Sequence, residues 1–148
     1  MDRALAVVDA EESTKALVRE AGELAGAVDA ELVLLHVTTN KEYEDKRQMM
    51  AEIPDDRVRY SASQAVDGAK QFAEDIGREV LDGIDVDYES VGAVGDEQNK
   101  ILETAENHDC DHLFIAGEKR SPTGKALFGD LTQSIILNFD GPVTVVTE

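Results

Sequence analysis

Short, almost unbroken apolar runs, each followed by a segment with helical periodicity, constrain this chain more than any other feature. Residues 3–8 read RALAVV and end at Asp9, with the acidic Glu11 and Glu12 and then Ser13 suiting a helix start. Leu17, Ala21, Leu24, Ala25 and Val28 then recur at helical spacing and make one apolar face. The run ELVLLHV at 31–37 predicts a strand covered on both faces of a parallel sheet. Ser61 and Gln64 form a capping box ahead of Ala65, Val66, Ala69, Phe72, Ala73, Ile76 and Val80, a helix that stops near Gly83. Ile84, Val86, Tyr88 and Val91 alternate with acidic residues and predict a half-exposed edge strand. Gly92 and Gly95 break the chain there, and Asp96 caps a helix that carries Ile101, Leu102 and Ala105. A strand at 111–116, a helix at 130–138 and a last strand at 142–147, with Pro142 at its first position, complete the series. Residues 38–60 are polar and weakly patterned, and predict an exposed connection with room for one helical turn.

This alternation predicts one α/β domain over residues 1–148, with right-handed crossovers and a parallel sheet. Ligands bind such sheets beyond the carboxyl ends of the strands, where strand order reverses. The strand ends that matter are then Asp9, Val37 and Gly117.

Charge narrows the partners. With 32 acidic and 14 basic residues the chain carries a formal charge of −18, which repels a polyphosphate backbone and argues against nucleic acid. The acid is spread along the whole chain, so it is not a disordered tail. Molar salt shortens the Debye length to about 3 Å and screens such self-repulsion, and this predicts a halophilic protein. No stretch reaches the roughly 18 to 20 apolar residues of a membrane span, and the single Cys110 cannot close an internal disulfide. A cytoplasmic location is the expectation.

The stretch GEKRSPTGKALFGD at 117–130 places glycines and cations where a strand runs into a helix. It is not a P-loop, because Lys119 stands where the first glycine belongs and Ala126 where a magnesium-binding hydroxyl belongs. The exit of the first strand likewise lacks the spaced glycines of a dinucleotide fingerprint.

The pattern as a whole resembles the universal stress protein family, in its haloarchaeal single-domain form: a first strand ending in Asp9, a second ending His36-Val37, a fourth ending Ile115-Ala116-Gly117, a glycine-rich loop, a helix and the strand PVTVV. The resemblance covers essentially the entire chain. It implies a Rossmann-like, adenine nucleotide alpha hydrolase-like fold: an open five-stranded parallel sheet of order 3-2-1-4-5. It implies a stress-response regulatory domain, a homodimer through residues 142–147, and a pocket for ATP or AMP. Members of one branch bind ATP through a signature of Gly, two residues, Gly, nine residues, then Gly-Ser/Thr. Gly117 and Gly129 match its first and last glycines, whereas Arg120 replaces the middle one, the following gap is one residue short and Asp130 replaces the hydroxyl. Asp9 matches the family's adenine-end aspartate and Val37 its backbone contact. The implied nucleotide site is therefore Asp9, Val37, Ala116, Gly117, Arg120, Gly129, Asp130 and Leu131, degenerate at the phosphate end.

A helix N-terminus attracts anions through unpaired N–H groups and its dipole. Asp130, read as an N-cap with Gln133 three residues on, satisfies those groups from within and opposes phosphate. Lys119, Arg120 and Lys125 pull the other way. His108, Cys110 and His112 straddle a helix end and a strand start and lack a fourth ligand, so they read as packing and no metal is predicted. His36, inside a hydrophobic strand end, reads as a structural residue hydrogen-bonded at the sheet's edge, and Ser121 and Thr123 as turn chemistry beside Pro122. No serine, cysteine or lysine has a convincing base beside it, so no catalytic nucleophile is predicted. Two alternatives stay open: a slow ATP hydrolase in the same pocket, and a nucleotide-free acidic interaction module.

Overall fold

A computed structural model describes residues 1–52, 60–117 and 129–147. Strands β1 (Arg3–Val7), β2 (Glu31–Thr38), β3 (Tyr88–Val94), β4 (His112–Ala116) and β5 (Val143–Val146) form one parallel sheet of order β3-β2-β1-β4-β5, the expected order. The helices are α1 (Ser13–Ala27), α2 (Asn40–Ala51), α3 (Ala62–Val80), α4 (Glu97–Asn107) and α5 (Asp130–Asn138).

Strand periodicity divides the apolar runs between two cores. Ala4, Ala6, Val8, Leu32, Leu34 and Phe114 pack with α1 and α3 on one face. Leu5, Val7, Val33, Leu35, Val37, Leu113 and Ile115 pack with Ile101 and Ala105 of α4 and Ile135 of α5 on the other. A central strand with helices on both sides has no polar face, and this is why β1, β2 and β4 lack alternation in sequence.

Helix α3 begins at the predicted capping box, with Ser61 Oγ accepting from Gln64 N (3.2 Å) and Gln64 Oε1 accepting from Ser61 N (3.1 Å). Its buried stripe of Ala65, Ala69, Ala73 and Gly77 brings the backbone close to the sheet. Gly92 meets it there: a Cβ at this position would sit 2.2 Å from Val66 O and 2.4 Å from Lys70 N. Gly92 therefore lies inside β3 and serves close packing, where the sequence suggested a break.

Two other expectations need correction. The predicted connection over 38–60 contains a helix, α2, with Thr39 as its N-cap. Thr39 Oγ1 accepts from Glu42 N (3.1 Å) and donates to Glu42 Oε1 (3.0 Å), and Lys41 pairs with Asp45 one turn on. No α2 residue is buried, so the helix leaves no apolar period to detect and is held by local pairs worth about 0.2 to 0.5 kcal/mol each. Ile84 and Val86 precede β3 instead of forming it, because the partner strand β2 begins only at Glu31 and its Leu32 is already opposite Tyr88. They pack against the α1–α3 core all the same.

Candidate functional site

Right-handed crossovers place the carboxyl ends of the strands and the N-termini of the following helices on one edge of the sheet. Strand order reverses there between β1 and β4, and a cleft of about 520 Å³ opens at that point. Asp9, Val37, Ala116, Gly117, Gly129, Asp130 and Leu131 all line it. Of the predicted site residues only Arg120 lies outside the described residues, as do Lys119, Lys125, Ser121 and Thr123.

Asp9 sits where β1 turns into α1. Its Oδ1 accepts from Glu11 N (2.9 Å), and its own N–H donates to Thr14 Oγ1 (3.0 Å). The turn is thus built by the same carboxylate that faces the cleft. Burial raises the Asp9 pKa, the Glu11 N–H and the His36 ring oppose the rise, and the Glu11 charge adds to it.

His36, read from sequence as structural, lines the cleft as well. Its Nδ1 lies 2.7 Å from Val8 O, and its ring packs 4.5 Å from that of Phe72. A carbonyl can only accept, so Nδ1 carries the proton and donates.

Sequence reasoning also missed Glu42 and Glu97, both of which line the cleft. Glu42 lies in the first turn of α2 and Glu97 in the first turn of α4. The signal was available for Glu97, because every helix that follows a parallel strand begins at the strands' carboxyl edge. Burial raises the Glu97 pKa first, then Glu42, with smaller contributions from Asp9 and Asp96 and an opposing one from His36.

At the N-terminus of α5 the expected self-cap is not formed. Gly129 occupies the N-cap position with φ −59° and ψ 162°, and Gln133 N donates to Gly129 O (3.0 Å). Asp130 is the first helical residue, inside the turn that a capping side chain must precede, so its carboxylate brings negative charge to the start of α5 without occupying the helix's N–H groups. Thr132, buried in that same turn, donates from Oγ1 to Ala116 O (3.0 Å) and fixes α5 against the end of β4.

His108, Cys110 and His112 do not converge. His108 Nδ1 faces Glu89 Oε1 (3.1 Å), and His112 Nε2 is 2.7 Å from Thr144 Oγ1. Burial pushes the Cys110 thiol up to about 11. Among the described residues no helix is long and apolar enough to cross a membrane.

Comparison with known proteins agrees with this architecture. Among similar solved structures, universal stress protein UspA from Lactobacillus plantarum superposes with a TM-score of 0.70 at 19% identity, over 98% of this chain and 97% of that one. A universal stress protein in complex with cAMP gives 0.65 at 17% identity, over 99% and 96%. The universal stress protein from Archaeoglobus fulgidus in complex with dAMP gives 0.61 at 17%, over 98% and 96%. No curated protein sequence matches the chain. The model of the universal stress protein family matches residues 1–147, and the chain belongs to that family.

Proposed function

We propose that this is a nucleotide-binding stress-response protein whose cleft holds an adenine nucleotide as a regulatory ligand. The observation that carries the reading is the convergence, at the switch point between β1 and β4, of Asp9, Val37, Ala116, Gly117 and Gly129 around a cavity of about 520 Å³. That volume falls within the roughly 300 to 1,000 Å³ of small-molecule sites. Asp9 supplies an acceptor for the adenine amine, the β2 end at Val37 a backbone edge for the base, and Gly117 and Gly129 the approach of the phosphate. Two related folds hold cAMP and dAMP, both adenine nucleotides with a single phosphate.

The protein acts in a cytoplasm rich in salt, a setting that suits its charge of −18. It pairs with a second copy through residues 142–147. The edge strand β5 is half-exposed throughout, and Leu137 and Ile136 of the preceding helix are 74% and 38% exposed. Light scattering in molar KCl tests the dimer, and a monomer would remove it.

The test of the ligand is heat extraction of protein purified in molar KCl, followed by mass spectrometry. A released adenine nucleotide supports the reading. An empty protein that also fails to take up added AMP overturns it.

A further inference from the structure

His36 stands between the two strand ends that the adenine reading assigns to the base. It precedes Val37 on β2, and its Nδ1–H donates to Val8 O (2.7 Å), one residue before Asp9 at the end of the neighbouring strand β1. That bond fixes the tautomer: in a neutral imidazole whose Nδ1 carries the proton, Nε2 offers only a lone pair. The ring cannot turn over to exchange its nitrogens without losing Val8 O, and it packs 4.5 Å from the ring of Phe72. Nε2 is a fixed acceptor.

No described residue donates to it. Asp9 and Glu97 both feel the His36 ring, which lowers their pKa values, yet neither is hydrogen-bonded to it. Lys46, across the adjoining cavity that His36 also lines, sits 4.7 Å over the ring of Tyr60 instead. Among the described residues no buried side-chain nitrogen lacks a partner, so the unpaired Nε2 is an accessible atom of a residue that lines the cleft. The Asp9 carboxylate lines the same cleft as a second acceptor.

We infer that His36 determines base specificity, its Nε2 accepting one N–H of the adenine amine while the Asp9 carboxylate accepts the other. The inference rests on the adenine reading of the cleft and adds how adenine is told from other purines. An exocyclic amine brings two donors to two acceptors, whereas guanine and hypoxanthine present a carbonyl oxygen at that position. Acceptor then faces acceptor, and a site built on such hydrogen bonds rejects the mismatched base.

The test is calorimetry of the full chain in molar KCl at about pH 8, titrating AMP and purine riboside monophosphate, the same nucleotide without its amine. In His36→Asn the side-chain amide can still donate to Val8 O, but nothing stands at the position of Nε2. AMP is expected to bind this variant about fivefold more weakly, the effect of one hydrogen bond between neutral groups, and the deamino nucleotide to change less than about twofold. Equal losses for the two ligands would leave His36 a structural role only and overturn the inference, with the adenine site intact. Nitrogen NMR of wild type needs no variant: AMP is expected to shift the Nε2 resonance of His36, and the deamino nucleotide to leave it near its free position. An Nε2 resonance that AMP does not move overturns the inference as well. Failure of AMP to bind wild type overturns the adenine reading, and the role of His36 falls with it.

Discussion

The Nδ1 of His36 lies 2.7 Å from the carbonyl oxygen of Val8, so that one imidazole joins the ends of β1 and β2 at the floor of the cleft. The neighbouring backbone repeats the tie, with Val8 N donating to Leu35 O (2.7 Å). His36→Ala removes this hydrogen bond together with the ring contact to Phe72, and is expected to cost about 2 kcal/mol. Denaturant unfolding in molar KCl measures it, and an unchanged midpoint would contradict the bracing role.

Gly92→Ala is expected to be more damaging than an ordinary surface change. The new Cβ would meet the α3 backbone at Val66 and Lys70, and backbone in a helix cannot move aside as a side chain can. The expected loss is about 3 kcal/mol, with the amides of β3 losing hydrogen-exchange protection first. Gly68→Ala, on the exposed side of α3, is its control, because nothing lies within 4 Å of a Cβ there and the helix gains propensity.

The cleft carboxylates and Asp111 are expected to give opposite pH dependences. Burial raises Asp9 and Glu97 in the folded state, so the folded chain holds these protons more tightly than the unfolded chain does. Stability therefore falls as pH rises from their ordinary values of 3.8 and 4.5 through the higher folded pKa values. Glu97→Gln removes part of this penalty and should stabilise the fold at neutral pH by about 0.5 kcal/mol. The carboxylate of Asp111 instead accepts Asp2 N (2.9 Å) and Arg3 N (3.3 Å), and its pKa is lowered chiefly by the Asp2 N–H. Its contribution is present above 3.8 and is lost as pH falls through the depressed folded pKa. Thermal melts of wild type, Glu97→Gln and Asp111→Asn between pH 3 and 7 check both signs.

Much of the fold was legible because its strongest signals are local and repeated. The runs at β1, β2 and β4 lack alternation only because helices cover both faces, and the Ser61 box marks the start of α3 within one residue. What was not legible depended on tertiary partners. Helix α2 buries nothing, so its sequence carries no period, and the start of β3 is set by where β2 begins rather than by the alternation of Ile84 and Val86. At the cleft, Asp9, Val37 and Gly117 followed from the rule for strand ends. Glu97 follows from the same rule, in the first turn of a helix entered from a parallel strand, whereas Glu42 sits on α2, whose sequence carries no period to mark a helix there.

A formal charge of −18 predicts a melting temperature that climbs steeply from low to molar KCl. Scanning calorimetry across that range decides it, and a melting temperature indifferent to salt would contradict the halophilic reading.

The adenine site at Asp9 is tested most directly by AMP binding to wild type and Asp9→Asn, measured by calorimetry in molar KCl. The asparagine keeps an oxygen for the Glu11 N–H, so the β1–α1 turn survives, but it replaces the charged acceptor with an amide. One AMP per chain is expected for wild type, with binding at least tenfold weaker in the variant and wild-type affinity that fades on acidification at a pH above the usual aspartate range. AMP binding that is indifferent to this substitution, or absent from wild type, would contradict it.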